Sequence, residues 1–365
     1  STTCSSRATS PEGQGNPRPA SDRRALDSVF VLRLSSVGDI VLTEPAVASL
    51  REAYPGAAIG FVVKKQYRDL VASHPAVTRV HELDTTSRSG TRELVRELRS
   101  AGYSVAVDLH RNMRTRKIVR AVKAPVVCSY RKRELGDALG VRLFKRPFRA
   151  STLLVRRYLD ALKPLGVDAP IRAPRLHVSE ADAGSALGIL EKLGLGAGRF
   201  AAVVPGSVWA TKRWPAAGFA KLAGALDQKL GLPVLLLGSS GERELCDDVA
   251  RKAGGRAVNA AGSATLGETG ALIARASVFV GNDSGPTHMA MALGVPSVAI
   301  FGPTDPGQFD FTGHALVFRD LDCSACSFYG SERCHLGHWD CMMSISPDDV
   351  ARAVEDVLEH EGGAA

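Results

Sequence analysis

Val280-Gly281-Asn282-Asp283-Ser284-Gly285-Pro286-Thr287-His288-Met289-Ala290 is the stretch on which the reading turns. An apolar, β-rich run ends at Asp283, a small-residue turn follows, and Pro286 opens a helical pattern with Ser284 as its N-cap. Strand, tight turn and helix form the repeating unit of a parallel α/β sheet. The start of such a helix presents unpaired N–H groups and the positive pole of the helix dipole, which suits a diphosphate. His288 falls in the first turn. It reads either as a structural histidine or as a donor to a leaving phosphate, and the second is the working expectation. Asp283 is placed to hold sugar hydroxyls.

Outward from this stretch the same unit recurs. Strands are expected at Val29–Leu34, Ile59–Val63, Arg79–Leu83, Val105–Leu109 and Val126–Ser129, with helices near Thr43–Tyr54, Thr91–Ala101 and Met113–Val122. The second half repeats it, with strands near Phe200–Val204, Val234–Leu237, Val278–Val280 and Ser297–Phe301. Its helices are expected near Ala216–Leu230, Glu242–Ala253, Leu266–Ala274 and Thr287–Leu293. Strands this rich in Val, Ile and Leu are buried on both faces, so the sheets are parallel and covered by helices. A helix near Leu153–Leu165 precedes Gly166–Leu176, which holds Pro170 and Pro174, has no periodicity and reads as a linker. The expected organisation is a disordered leader (1–27), an acceptor-binding Rossmann-like half (28–168), a nucleotide-sugar-binding Rossmann-like half (169–346), and a closing helix and tail (347–365). With 365 residues there is material for two full cores. Ligands of doubly wound sheets bind at the carboxyl ends of the strands, here in a cleft between the halves.

Three more loops at such ends carry chemistry. In Leu34-Ser-Ser-Val-Gly38-Asp39 a strand gives way to a helix beginning near Asp39. Asp39 reads as a first-turn acid and, facing the cleft, as a general base for an acceptor hydroxyl; the two roles are compatible. In Pro205-Gly206-Ser207-Val-Trp-Ala-Thr211-Lys212-Arg213-Trp214-Pro215, the turn supplies N–H groups and Lys212 and Arg213 supply positive charge, a diphosphate cradle. The alternative is a surface turn with solvated cations. Pro215 suits the first position of the next helix, and Trp214 is expected in the core. In Leu237-Gly238-Ser-Ser-Gly241-Glu242, Glu242 either accepts from ribose hydroxyls or is a first-turn helix acid.

The formal charge is +8, and fifteen Lys or Arg fall between Arg111 and Arg157 against two acids, Glu134 and Asp137. Such a surface suits phosphates, anionic lipid headgroups or nucleic acid, or else is a solvated face of helices. No aromatic-studded strand or zinc-finger spacing accompanies it, so nucleic acid is not expected. No run of 18 apolar residues is present, and the first 27 residues lack the apolar core of a signal peptide. Seven cysteines without a secretory signal point to a reduced, cytosolic setting. Cys128 and Cys246 lie beside apolar runs as core residues, and Cys4 lies in the leader. Cys323, Cys326, Cys334 and Cys341 fall within nineteen residues and are either a structural zinc site or free or disulfide-bonded cysteines. No catalytic metal is expected.

Taken in order and at these spacings, Ser-Ser-Val-Gly-Asp39, Pro-Gly-Ser with Lys212-Arg213-Trp214-Pro215, and Asn-Asp283-Ser-Gly-Pro-Thr-His288 resemble the ADP-heptose:lipopolysaccharide heptosyltransferase family over roughly Val29 to Val357. The Lys-Arg-Trp-Pro and Asn-Asp-Ser-Gly variants look closer to the second heptosyltransferase than to the first. The resemblance implies a GT-B fold and an inverting, metal-independent transfer of heptose from ADP-heptose to the lipopolysaccharide inner core. It implies Asp39 as base, Lys212 and Glu242 as donor-nucleotide contacts, Asp283 near the heptose, and Ser284, Gly285 and His288 at the phosphates. Ser207, Thr211 and Arg213 join the donor set from the cradle they share. Arg111, Arg114 and Arg116 follow a strand end and suit an acceptor carrying acidic sugars and phosphates, a lipid A–core glycolipid. A peripheral monomer on the cytoplasmic face of the inner membrane is expected. The rival functions are a nucleotide-sugar epimerase or another glycosyltransferase of the same fold, and a non-catalytic glycolipid-binding protein.

Overall fold

The computed structural model describes residues 26–132, 140–141, 147–196 and 198–362. Cys4, all but the last two positions of the expected leader, and residues 133–139 and 142–146 of the basic stretch lie outside these. In chain order the first half is β1 (Ser28–Leu32), α1 (Val37–Val41), α2 (Glu44–Ala53), β2 (Ala58–Lys64), α3 (Asp69–Ala72), β3 (Arg79–Leu83), α4 (Gly90–Ala101), β4 (Val105–Asp108), α5 (Met113–Val122), β5 (Val126–Ser129) and α6 (Leu154–Asp160). The second half is α7 (Glu180–Lys192), β6 (Ala201–Val204), α8 (Ala216–Leu230), β7 (Val234–Leu236), α9 (Arg243–Lys252), β8 (Ala257–Asn259), α10 (Leu266–Ala274), β9 (Val278–Asn282), α11 (Gly285–Ala292), β10 (Ser297–Phe301), β11 (Ala315–Phe318), α12 (Asp340–Met343) and α13 (Pro347–Gly362).

Both sheets are parallel, as the apolar strands require. The first has the order β3-β2-β1-β4-β5 and the second β11-β10-β9-β6-β7-β8. Each order reverses direction once, between β1 and β4 and between β6 and β9. Loops on either side of such a reversal splay apart and leave a crevice at the strands' carboxyl ends. The loops that carry Asp39 and Asp283 flank these two crevices.

The core differs from two separate units. One continuous apolar cluster joins Val29, Val31 and Ile40 of the first half to Phe200, Phe279 and Met289 of the second. The outer faces of the two sheets carry their own clusters, around Phe30 and Leu98 and around Trp214 and Val354. Residues joining the halves are tied to both: Arg172 pairs with Glu52 of α2, and the Leu176 N–H donates to the Ala292 carbonyl at 2.9 Å.

Several elements differ from the sequence expectation. β8, β11 and α7 were not anticipated. α7 is capped by Ser179, whose Oγ accepts from the Asp182 N–H at 3.0 Å. The helix expected over Leu153–Leu165 stops at Asp160 and resumes as a single 3-10 turn, Lys163–Leu165. Pro215 is the N-cap of α8 and not its first residue. α13 packs on α8, β9, β10 and β11 of its own half.

Candidate active site

Asp39 is the third residue of α1, behind the N-cap Ser36. Its Oδ2 accepts from the Ser36 N–H at 3.3 Å and Oγ at 2.9 Å, and pairs with Arg33 Nη2 at 2.5 Å. The first-turn-acid reading therefore holds, and the side chain is also 28 % exposed. Among the described residues the one donor to Oδ1 is the Tyr158 hydroxyl, at 3.5 Å. Burial works to raise the Asp39 carboxyl, but the Arg33 guanidinium and the Ser36 hydrogen bonds outweigh it and hold the group below its ordinary value.

Arg33 follows β1 and is only 8 % exposed. Its Nε donates to the Ser35 carbonyl at 2.8 Å and its Nη1 to the Leu109 carbonyl at 2.6 Å. One guanidinium thus stitches the ends of the neighbouring strands β1 and β4 while it meets Asp39. His110, just past β4, has a buried Nδ1 with no partner among the described residues. Burial, reinforced by Arg33 against the pull of Asp39, brings its imidazole down to about 4, so the ring is neutral at pH 7.

Across the gap, Lys212 Nζ meets Asp283 Oδ2 at 2.5 Å, with side chains 12 % and 8 % exposed. Thr304 Oγ1 donates to the same oxygen at 2.5 Å, and His288 Nε2 lies 3.9 Å from Oδ1. Burial works to raise the Asp283 carboxyl, but Lys212, His288 and Thr304 outweigh it and hold it low. His288, set against Phe309, is lowered by burial and by Lys212 against the opposing pull of Asp283 and Asp39. Asn282 joins the two loops: its Nδ2 donates to the Pro205 carbonyl at 2.8 Å and its Oδ1 accepts from the Trp214 N–H at 2.9 Å. Trp214 itself is buried in the core, as expected.

The other donor-side residues divide. Arg213 Nε donates to the Ser207 carbonyl at 2.7 Å, which sets the curvature of that loop. The Thr211 hydroxyl donates to the Ser331 carbonyl at 2.8 Å and accepts from the Ser331 N–H at 2.9 Å, so it is committed to a structural staple. Glu242 Oε2 accepts from the Ser239 N–H and Oγ, each at 2.8 Å, in a capping box, while its Oε1 lies against Gly206. The buried Ser284 Oγ at the start of α11 has no partner among the described residues.

The two sides touch. α1 lies on the start of α11, and two glycines make the fit. A Cβ on Gly38 would stand 2.5 Å from His288 Cδ2, and one on Gly285 would stand 2.5 Å from Val37 Cβ. The helix that carries Asp39 therefore packs directly on the first turn of α11.

On the acceptor side, Arg111 sits at the end of β4 with Nη1 donating to the Tyr130 carbonyl at 3.1 Å. Lys132 is lowered by burial and by the charges of Arg33, Arg116 and Arg111, against Asp108, which gathers these cations beside the β1–β4 crevice. Arg114 is exposed on α5. A groove of about 570 Å³ between β3 and α4, lined by Arg79, Glu82, Glu93, Arg96 and Glu97, lies away from these loops.

The late cysteines lie near one another: burial and the sulfurs of Cys326, Cys323 and Cys334 push the Cys341 thiol up to about 12. Cys323 Sγ lies 3.9 Å from His338 Nε2 and Cys341 is buried. A tetrahedral thiolate site holds its sulfurs about 2.3 Å from the ion. Among the described residues no three ligand atoms of this segment come within 4.8 Å of one another. Glu44, His74 and His177 do meet that distance. However, His74 Nδ1 accepts from the Ala76 N–H at 3.0 Å, so Nε2 carries the proton and points at Glu44, 3.5 Å away. Nε2 is buried with no hydrogen-bond partner among the described residues, and while Nδ1 accepts, Nε2 has no lone pair free for a metal.

The sequence reading gave no role to Arg33, Asn282, Thr304, Tyr158 or His110, although Asn282 stands in its central motif. Of the others, only Arg33 gave a signal, as a lone charge inside an apolar run.

The chain matches glycosyltransferase family 9 (heptosyltransferase) over residues 91–331. It is 26% identical to lipopolysaccharide heptosyltransferase 1 of Pseudomonas aeruginosa, over 82% of this chain and 85% of that one. It is 27% identical to lipooligosaccharide heptosyltransferase 2 of Haemophilus influenzae, over 91% of this chain and 99% of that one. The crystal structure of a family 9 glycosyl transferase from Veillonella parvula superposes with a TM-score of 0.77 at 25% identity, covering 93% of this chain and 99% of that chain.

Proposed function

The chain belongs to glycosyltransferase family 9, and from that premise we propose that it moves heptose from ADP-heptose to the inner core of lipopolysaccharide in a single inverting displacement without a catalytic metal. The observation that carries this is the packing of α1, which holds Asp39, on the first turn of α11 across the Gly38–His288 contact. Residues 28–168 serve as the acceptor half and 169–346 as the donor half. Asp39 takes the proton of the acceptor hydroxyl as its oxygen attacks the anomeric carbon. The bond to the diphosphate breaks with the electrons leaving on ADP. Lys212, the N–H groups at Ser284 and Gly285, and His288 stabilise that charge. Ser207 and Arg213 shape the cradle, Glu242 takes the ribose, and Asp283 meets the sugar while fixing Lys212. The contact between α1 and α11 keeps water from the reacting atoms.

Arg111 and Arg116, with Lys132, receive the anionic groups of a lipid A–core acceptor, and Arg114 extends that surface. No helix among the described residues is long and apolar enough to cross a membrane. The enzyme acts as a peripheral monomer on the cytoplasmic face of the anionic inner membrane.

The test is Asp39→Asn. It keeps the shape of the side chain, so ADP-heptose affinity should stay near wild type, while the melting temperature falls because the buried Arg33 loses its charged partner. Acceptor-dependent ADP release should fall at least roughly 100-fold. Near-wild-type release removes Asp39 from the mechanism. Incubating the enzyme with donor alone guards the assignment, since an isomerase would convert ADP-heptose with no acceptor present.

A further inference from the structure

We propose that Arg33 is a positioning residue of the reaction: it pins Oδ2 of Asp39 and leaves Oδ1 as the oxygen that receives the acceptor's proton. The inference rests on Asp39 being the base and goes beyond it by assigning the reacting atom and what holds it. The carboxylate is asymmetric. Oδ2 carries Arg33 Nη2 at 2.5 Å, Ser36 Oγ at 2.9 Å and the Ser36 N–H at 3.3 Å. Oδ1 has the Tyr158 hydroxyl at 3.5 Å, at the outer limit of a hydrogen bond. A carboxylate oxygen offers about two lone-pair directions, so Oδ2 is saturated and Oδ1 is not. An acceptor hydroxyl arriving from the gap finds its lone pair on Oδ1, near the place where the Tyr158 hydroxyl now lies. As the acceptor oxygen bonds to the anomeric carbon, its proton passes to Oδ1 and the electrons of the broken bond leave on the diphosphate.

Arg33 is suited to this hold because it cannot turn away. Its Nε and Nη1 are fixed by the Ser35 and Leu109 carbonyls, and its guanidinium lies 5.7 Å from the centre of the Tyr158 ring. The planar fork serves two strand ends and one carboxylate at once, which a lysine ammonium cannot do. The charged and titratable groups around Asp39 are Arg33 after β1, His110 after β4, Tyr130 after β5, Tyr158 on α6 and His288 on α11. Of these, Arg33 is the cation in direct contact.

The experiment measures kcat against pH for Arg33→Met, Arg33→Lys and Tyr158→Phe, with melting temperature and ADP binding as checks on folding. Arg33→Met should move the acidic limb of the profile upward, because burial then acts on Asp39 without its cation, and should lower kcat at pH 7.5 at least roughly tenfold. The donor KM should hold, since the donor half is untouched. Arg33→Lys keeps the charge, so its limb should stay near wild type while kcat falls severalfold. Tyr158→Phe should leave the limb where the wild type has it, whatever its turnover. A folded Arg33→Met protein with an unmoved limb overturns the proposal. If Arg33→Met does not fold, wild-type kcat in Arg33→Lys overturns it. A limb moved by Tyr158→Phe overturns the choice of Oδ1. Failure of the underlying reading is separate, since it shows as activity in Asp39→Asn.

Discussion

Substituting Gly285 by Ala tests whether the two halves must touch for the chemistry to run. Gly285 is the first residue of α11 and has no positive φ, so alanine fits its backbone without strain. The added Cβ would stand 2.5 Å from Val37 Cβ and 2.8 Å from Val37 Cγ1. Carbon atoms rest at about 3.5–4.0 Å, so α1 and α11 must part by roughly 1 Å. Because Asp39 rides on α1 and the phosphate-facing N–H groups on α11, that gap enters the distance between base and leaving group. A misplacement of about 1 Å can lower turnover by roughly 100-fold, or about 2.7 kcal/mol of transition-state stabilisation. The assay is acceptor-dependent ADP release, run beside ADP binding and melting temperature, both of which should change little. The discriminating variant is Gly285→Ala combined with Val37→Gly, which removes the opposing Cβ and should restore most of the lost turnover. Full activity in Gly285→Ala refutes the reasoning. So does a loss that Val37→Gly leaves unrepaired, because the new methyl would then be acting on the phosphate site and not on closure.

Two further outcomes follow from the buried charges. Lys212→Met strands the Asp283 carboxylate at 8 % exposure and should destabilise the protein by about 3–5 kcal/mol; adding Asp283→Asn should recover much of that, and a melting temperature unchanged in the single variant contradicts the pairing. His110 is held at about 4, below an unfolded histidine at about 6.5. The folded chain therefore binds fewer protons in that window, and the stability this group contributes is whole above about pH 6.5 and lost as pH falls toward 4. His110→Gln should flatten the drop in melting temperature between pH 7 and pH 5, and an identical slope in both proteins excludes His110 as a contributor.

The strands read well from the sequence where four or five consecutive apolar residues are buried on both faces. β1 and β10 fall within a residue or two of their expected bounds, and so do β3 and β5, which lie at the rims of their sheet and are partly exposed. β8 and β11 escaped because Ala257–Asn259 and Ala315–Phe318 are short and partly exposed at the sheet's rims. α7 escaped because two glycines and several alanines blur its apolar stripe, although Ser179 with Asp182 marked its start. The strand orders were out of reach, since they depend on pairings between residues far apart in the chain. The four loops were legible because turn, N-cap and proline obey local chemistry. Their mutual commitments were not. Lys212 and Asp283 were each singled out for a ligand, and their pairing appears only when β6 and β9 lie side by side. Arg33 was hidden by its neighbours, as the run from Val29 to Leu34 reads as a strand with one stray charge.

Each half of the cleft thus holds one carboxylate against one cation: Asp39 with Arg33, and Asp283 with Lys212. The pairs differ in what they leave available. Arg33 gives its Nε and Nη1 to backbone carbonyls, so nothing short of local unfolding frees it, and its effect on Asp39 is constant. Lys212 has an ammonium on a flexible stem, and Asp283 keeps Thr304 and His288 as other partners. A diphosphate at the α11 start can therefore draw Lys212 toward itself without leaving Asp283 uncompensated. The cost of separating a buried pair falls when a stronger anion replaces the first. Fixed charge on the acceptor side and transferable charge on the donor side match the two tasks: a base whose ionisation must not drift, and a cradle whose charge must follow the departing phosphate.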